Sequence, residues 1–311
     1  MVGSFLFFKR VLAMSSKIVK VLKVASRKVK ELKIIVESGL LSYFDGDIRI
    51  DYFCEGITPA QQFRSVLELE LSESCIGDSI GTPNRGTEFL AAELSQKLSY
   101  VVRACDTEST RYALGGVNWE DSHLVATDGR RMHFLPIGLA EDIVNEKRSR
   151  IIPKKTIEVI LSAIKEFQAD IVKVYFEKNS VIVSGDTWKI TALLTEGRFP
   201  AWRQVIPDQS QLERSENPIF VKQFAETLSA IIKRKKLEEK AHLSTLGKSE
   251  RKRYRGENGT PTITIGGMIF NAEYVLDAVS NVRETTFYPK LNKNSSGASI
   301  VGNAVIMPLS K

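Results

Sequence analysis

The chain has 311 residues, of which 43% are hydrophobic and 26% are charged, and its formal net charge is +7. This composition is typical of a globular protein of two or three domains, and no apolar run reaches the roughly eighteen residues that a membrane span requires. The three cysteines lack CxxC or Cys/His spacing, which argues against a disulfide framework and against zinc. We therefore expect a cytoplasmic protein without a metal or another cofactor.

The predicted elements alternate between helices and strands along the chain. Apolar residues at helical spacing predict helices at residues 16–30, 87–105, 153–167, 221–241 and 271–282. Alternating or apolar runs between turn residues predict strands at 32–36, 46–53, 66–71, 113–119, 122–127, 172–177, 180–184, 189–194, 263–269 and 304–307. The order helix, strands, helix, strands begins again near residue 218, which indicates an α+β unit repeated about every 110–120 residues.

The positive charge is concentrated in two segments, residues 1–40 and 233–255. Each carries a net charge of +7, so the rest of the chain sums to −7. Such a chain can present a basic face to a polyanion while repelling it elsewhere. The alternative is that both segments are solvated helix faces or tails.

A serine-hydrolase motif occurs once, as GDSIG at residues 77–81, centred on Ser79. The nucleophile elbow needs a helix directly after the serine, but the sequence TPNRG that follows is typical of a loop. We therefore predict that the chain is not an enzyme, and an enzyme using Ser79 is the weakest alternative.

Three short segments indicate the function when they are taken together. They are VATDGRRM at residues 125–132, EGRFPAWRQVIP at 196–207 and VIMPLSK at 305–311. Each alone predicts only a strand end and a turn. In this order they resemble the bacterial DNA sliding clamp, the beta subunit of DNA polymerase III, and TRYAL at 110–114, IPKK at 152–155 and EYVLD at 273–277 support the resemblance.

The resemblance implies repeated α+β clamp domains, with helices lining one face and antiparallel sheets on the other. It divides the chain into a reduced first domain at residues 1–86, a central domain at 87–207, and a third domain at 208–311 with a basic irregular insert near 242–258. It also implies a head-to-tail homodimer that closes around duplex DNA and binds DNA polymerase, other clamp-binding peptides and a clamp loader.

Two sets of site residues follow from the resemblance. The DNA-binding candidates, which would contact phosphates without reading bases, are Lys17, Lys20, Arg27, Lys97, Arg103, Arg111, Tyr112, Lys154, Lys155, Lys233 and Arg234. The candidates for a peptide-binding groove are Leu114, Thr127, Gly129, Arg130, Arg131, Met132, Pro200, Val205, Asn271, Tyr274, Val305, Met307, Pro308 and Leu309.

This chain departs from the family pattern at several positions. Arg130 stands where histidine is common, Gln204 stands where arginine is common, and the chain ends in Ser310-Lys311 instead of Arg-Leu. The reduced first domain and the basic insert favour a second hypothesis, a clamp-derived interaction module that binds peptides without closing a ring. Residues 1–33 are basic and amphipathic, so a targeting or membrane-surface segment is a further alternative.

Overall fold

The computed structural model describes residues 17–27, 33–37, 40–53, 61–63, 86–106, 112–120, 122–137, 150–245 and 260–309. The chain divides into two compact units. The first comprises residues 1–124 and 136–199, and the second comprises residues 125–135 and 200–311. Strand pairs are antiparallel wherever their register is described, which confirms the α+β class with antiparallel sheets. The division into three domains stays a prediction.

The elements up to residue 193 are, in chain order, α1 (residues 17–25), β1 (Lys33–Glu37), β2 (Leu40–Phe44), β3 (Ile48–Phe53), β4 (Gln61–Phe63), β5 (Thr87–Leu90), α2 (Ala91–Val101), β6 (Gly116–Glu120), β7 (His123–Thr127), β8 (Arg131–Pro136), β9 (Arg150–Pro153), α3 (Lys154–Phe167), β10 (Ile171–Phe176), β11 (Ser180–Ser184) and β12 (Trp188–Leu193).

The elements after residue 193 are β13 (Leu212–Arg214), β14 (Ile219–Phe220), α4 (Val221–Thr245), β15 (Thr262–Ile265), β16 (Met268–Asn271), α5 (Ala272–Val279), β17 (Thr286–Phe287), β18 (Lys290–Asn292), β19 (Ser299–Val301) and β20 (Ala304–Ile306). Short 3-10 helices occur at Val102–Ala104, Tyr112–Leu114, Trp202–Val205 and Gln209–Gln211.

Eight strands of the first unit form one sheet in the order β4-β1-β2-β3-β12-β11-β10-β5. β3 and β12 join its two halves, with Ile50 opposite Ile190 and Tyr52 opposite Trp188. Phe167, at the end of α3, stacks on both aromatic rings, with centroids 5.3 Å from Tyr52 and 6.1 Å from Trp188. The N-terminal strands are therefore a continuation of the sheet that follows α3.

The helices of the first unit bury the apolar stripes that the sequence predicts. Their fully buried residues include Ile18, Leu22, Leu94, Leu98, Ile157, Val159 and Ile160. α3 begins at Lys154, one residue after its predicted start, because Pro153 has extended backbone angles and is the N-cap. It ends at Phe167, as predicted, and is capped by Gln168, which takes the left-handed backbone conformation (φ 53°) and donates its N–H to Ile164 O. β5-α2-β6-β7-β8 and β9-α3-β10-β11-β12 then repeat one strand-helix-strand-strand-strand order.

Several predicted elements need correction. Residues 87–90, predicted as the start of a helix, form β5, because Leu90 has extended backbone angles and pairs with Ile171 of β10. Residues 263–269, predicted as one strand, form the β15–β16 hairpin, because Gly266 and Gly267 have positive φ angles of 54° and 79°. The prediction also omits β2, although the Asp45-Gly46 turn joins β2 to β3. The predicted strand at 66–71 lies outside the described residues.

In the second unit, five strands are neighbours within one sheet, in the order β13-β18-β19-β20-β8. Its core includes Leu228 of α4, Phe270 of β16 and Val275 of α5, all fully buried. Asn271 caps α5 as predicted, because its side chain accepts the N–H of Glu273 at 2.8 Å. β14 pairs only with β17, and β15 only with β16, among the strands that the structure describes.

α4 continues past its predicted end at residue 241. Its last residue in the core is Ile232, and most of residues 233–241 are exposed. Residues 242–245, predicted to begin an irregular insert, are therefore helical. Charged pairs stabilise this exposed part, since Arg234 lies 2.9 Å from Glu238 one turn later. Residues 246–259 lie outside the described part of the chain.

Candidate functional site

The TDG segment forms a tight turn between β7 and β8. Asp128 Oδ1 accepts the backbone N–H groups of Arg130 at 2.9 Å and Arg131 at 3.0 Å. Thr127 Oγ1 donates to Arg131 O at 2.6 Å and accepts the N–H of Gly129, whose φ of 87° requires glycine. The predicted strand and turn are confirmed, and their hydrogen bonds fix the backbone of the turn.

Arg131 joins this turn to α5. Its Nε lies 3.1 Å from Asp128 Oδ2, its Nη1 lies 2.6 Å from Asp277 Oδ2, and its guanidinium stacks 4.2 Å from the Tyr274 ring centroid. Only 10% of its side chain is exposed. Burial and the charge of Asp128 raise the pKa of Tyr274, against the opposing charges of Arg131 and Arg130. Arg131 and Tyr274 are therefore part of a packed ionic cluster.

The C-terminal strand β20 pairs with β8, so that Val305 lies opposite Met132 and Ile306 opposite Arg131. The chain that follows is held by two more backbone bonds. Met307 N–H donates to Arg130 O at 2.9 Å, and Leu309 N–H donates to Ile269 O at 2.8 Å. The terminal segment is therefore fixed at both ends although it is not a regular strand.

A 3-10 helix at Trp202–Val205 packs against β8. Trp202 is buried, and its ring centroid lies 5.8 Å from that of Phe134 on β8. Arg203 stacks over the same indole at 4.3 Å. Phe134 and Trp202 are missing from the predicted groove, although an aromatic residue within a proline-bounded segment is a recognisable packing signal. Val205, the last residue of the same 3-10 helix, is 50% exposed.

The structure places all the predicted groove residues except Leu114 in the second unit. Met132, Val305 and Asn271 are buried there, and Leu114 is buried in the first unit. Thr127, Arg131, Tyr274, Pro308 and Leu309 are partly buried, and Gly129 is exposed. We call the exposed set Arg130, Pro200, Val205 and Met307, with the neighbouring Pro308, the tail surface. The contact of each residue with a peptide stays a prediction.

Several predicted DNA contacts are held in ion pairs. The distances are 2.9 Å for Lys20–Glu166, 2.6 Å for Lys97–Glu93, 2.5 Å for Lys155–Asp45 and 2.9 Å for Arg234–Glu238. Within the described ranges, Lys17, Arg27, Lys154 and Lys233 have no ion pair. Arg103 is exposed, Tyr112 is 80% exposed, and Arg111 lies outside the described residues.

Asp45 is the most enclosed partner in these pairs, with 2% of its side chain exposed. Burial favours its neutral form, but hydrogen bonds from Lys155 and from the N–H groups of Ile48 and Asp47, with the charge of Lys155, lower its pKa overall. Tyr43 donates to the same carboxylate at 3.1 Å, and burial followed by the charge of Asp45 raises the pKa of Tyr43. Lys155 thus binds a structural carboxylate in addition to any role at the surface.

The remaining predicted features provide less information about a functional site. Ser79, Cys54, Cys75 and most of residues 1–33 lie outside the described residues, and Cys105 is buried. Among the residues with described positions, no cluster of His, Cys, Asp and Glu has the arrangement of a metal site. In that same part of the chain, no helix has both the length and the apolarity to cross a membrane.

The fold of the two units is that of the bacterial DNA sliding clamps. The chain is similar to a DnaN sliding clamp (DNA polymerase III subunit beta) from Bartonella birtlesii, bound to griselimycin, with 18% identity, a TM-score of 0.68, and coverage of 96% of this chain and 98% of that one. For the beta subunit from Thermotoga maritima the identity is 12%, the TM-score 0.68 and the coverage 97% and 98%. For a clamp from Pseudomonas aeruginosa these values are 15%, 0.64, 96% and 98%.

Residues 90–201 match the family model for the central domain of the DNA polymerase III beta subunit. This match includes the TDG turn and the GRFP segment, so the resemblance drawn from the motifs is confirmed. A comparison with curated protein sequences gave no match.

Proposed function

We propose that this protein is a DNA polymerase processivity factor of the cytoplasm, a non-enzymatic sliding clamp of three domains. It holds duplex DNA through phosphate contacts and tethers polymerase and repair proteins through the predicted groove. In this proposal two chains associate head to tail around the DNA, with the aid of a clamp loader. The observation that supports the proposal most directly is the tail surface, where the side chain of Met307 is exposed although its backbone N–H is hydrogen-bonded to Arg130.

The geometry of the tail surface suits the capture of a short peptide. Met307 and Val205 are 39% and 50% exposed, although the N–H of Met307 donates to Arg130 O and the N–H of Leu309 donates to Ile269 O. A preformed site loses little conformational entropy when a ligand binds. Methionine adapts to different apolar partners, so leucine or phenylalanine anchors of several peptides can contact the same place.

Replacing Met307 and Pro308 together by alanine tests the peptide-binding role. We expect the affinity for a fluorescent peptide with adjacent Leu and Phe anchors to fall about tenfold or more, because a few central anchors dominate such interfaces. Fluorescence anisotropy measures the dissociation constant. Tyr288→Ala is the matched control, because Tyr288 is 38% exposed in the same unit but lies outside the groove. Equal affinities of the double variant and the control would reject the site.

DNA contact is proposed for the basic residues of the helices, first for those without an ion pair. Lys17→Glu with Arg27→Glu should weaken binding to duplex DNA and reduce the salt dependence of the binding constant, because fewer phosphate counterions are released. Titrations of fluorescent duplex DNA at several salt concentrations measure both. The control is Lys178→Glu with Lys293→Glu, which changes the net charge equally at two other exposed sites. A control that weakens binding equally would contradict specific contacts at α1.

The second candidate is an interaction module that binds client peptides without closing a ring. It is favoured by two features of the described residues. The β15–β16 sheet has two strands, and the segment before residue 86 contributes one helix and β1–β4. Such a module would bind peptides at the tail surface but would not be retained on DNA as a closed ring. The oligomeric state in solution therefore distinguishes it from the clamp.

A further inference from the structure

Arg130 places an exposed guanidinium on the tail surface, without an ion pair among the described residues. Its backbone is fixed on both sides, because its N–H donates to Asp128 Oδ1 at 2.9 Å and its C=O accepts the N–H of Met307. Its side chain is exposed. Among the described residues, no carboxylate pairs with its guanidinium.

The carboxylate nearest to Arg130 in sequence is that of Asp128, and both of its oxygens already accept hydrogen bonds. Asp128 Oδ1 accepts two backbone N–H groups, those of Arg130 and Arg131, and Oδ2 binds Arg131 Nε at 3.1 Å. Asp277 is also bound to Arg131, at 2.6 Å. Both carboxylates of this cluster therefore pair directly with Arg131, and the guanidinium of Arg130 has no ion pair among the described residues.

Met307 is the backbone neighbour of Arg130 on the adjoining segment. The pairing of β20 with β8 ends at Ile306 and Arg131, so Arg130 belongs to the turn and Met307 to the segment after β20. The N–H of Met307 donates to the C=O of Arg130 at 2.9 Å, so the two backbones lie side by side. An exposed cation and an exposed apolar residue are therefore neighbours. Arg203, another exposed arginine of the same unit, differs because it stacks on Trp202.

We propose that Arg130 makes the tail surface selective for acidic peptides, those with an aspartate or glutamate close to the apolar residue that contacts Met307. This inference rests on the proposed peptide-binding function and adds the chemistry of the preferred partner. A guanidinium can bind both oxygens of a carboxylate through parallel, charge-assisted hydrogen bonds. An amide in the same place offers one acceptor and no charge, so the site discriminates between the acid and its amide.

Paired peptides test this selectivity with the full-length protein. Fluorescent octapeptides carry a central Leu-Phe anchor, and each other position in turn holds either Asp or Asn on a background of Gly and Ser. For at least one position, the wild type should bind the Asp peptide about five- to tenfold more tightly than the Asn peptide. Arg130→Gln should reduce this ratio to about one, because the Asp peptide loses its charged partner; the ratio, and not the absolute affinity of the variant, is the readout.

Arg203→Gln is the matched control, because it removes a neighbouring exposed arginine from the same unit. It should retain the Asp preference at the same position. Equal binding of the Asp and Asn peptides by the wild type overturns the selectivity but keeps the peptide site. A preference that persists in Arg130→Gln overturns the role of Arg130. Absence of binding of any octapeptide overturns the selectivity together with the proposed peptide-binding function.

Discussion

Asp45 and Lys155 form an ion pair between the β2–β3 turn and the first turn of α3, with Oδ2 and Nζ 2.5 Å apart. The sequence predicts Lys155 as a phosphate contact because it lies in the IPKK segment at the start of a helix. The structure adds a partner 110 positions away, which local patterns do not reveal. Lys154, next to it, has no ion pair within the described residues and is the better candidate for a DNA contact.

Asp45→Asn should make the fold less stable at neutral pH. The pKa of Asp45 is lower in the folded chain, so the unfolded chain binds the proton more readily. The stability it contributes is therefore complete above its ordinary pKa of about 4, and it is lost as the pH falls through the lower folded pKa. We expect the free energy of unfolding at pH 7 to fall by about 1 kcal/mol, since Lys155 is partly exposed and solvent screens the pair.

Denaturant unfolding between pH 3 and pH 7 measures this effect. In Asp45→Asn, the loss of stability towards acidic pH should be smaller than in the wild type. Asp47→Asn is the control, because Asp47 lies in the same turn but is exposed. Parallel pH profiles for the wild type and Asp45→Asn would contradict a stabilising charge at Asp45.

At the scale of elements, α5 shows a residue with a structural role inside a predicted binding site. The sequence indicates Asn271 both as a helix cap and as a groove residue. The structure confirms the cap, with the N–H of Glu273 2.8 Å from Asn271 Oδ1, and the residue is buried, at 9% exposure. The helix that it caps carries Tyr274 and Asp277, which hold Arg131. The cap therefore supports the turn that precedes β8.

Asn271→Ala should lower the free energy of unfolding by about 1 kcal/mol, because the N–H groups of the first turn of α5 lose an acceptor. Asn271→Asp should retain most of the stability, since aspartate is an equally good cap. Thermal unfolding measures both, and Asn303→Ala, at an exposed turn, is the control. If Asn271→Asp is stable and binds the Leu-Phe peptide normally, the side chain acts as a cap. A stable variant with weak binding would instead support direct contact with the peptide.

At the scale of the whole molecule, the clamp proposal depends on retention on DNA. We expect a mass in solution of about twice 34.8 kDa and slower dissociation from a nicked circle than from the same DNA after linearisation, because a closed ring leaves only over a free end. Light scattering and a gel-filtration retention assay, with clamp loader supplied, measure these quantities. Equal loss from both DNA forms would reject the ring. A monomer that still binds peptide would support the interaction module.

The amino-acid sequence by itself determined the features that depend on neighbouring residues. The buried stripes of α1, α2 and α3, the Asn271 cap and the TDG turn follow from residue spacing and side-chain chemistry, because a helix turn or a tight turn involves only a few adjacent positions. The motifs also indicated the clamp fold.

Only the tertiary structure decided which distant residues meet. It joined β3 to β12, paired Lys155 with Asp45, and buried Met132 and Val305 against each other while Met307 stayed exposed. These outcomes depend on how segments more than a hundred residues apart pack, so identical local patterns can end in a core, an ion pair or a binding surface. For the same reason, the lack of an ion pair at Arg130 within the described residues became visible only after the partners of Arg131 were known.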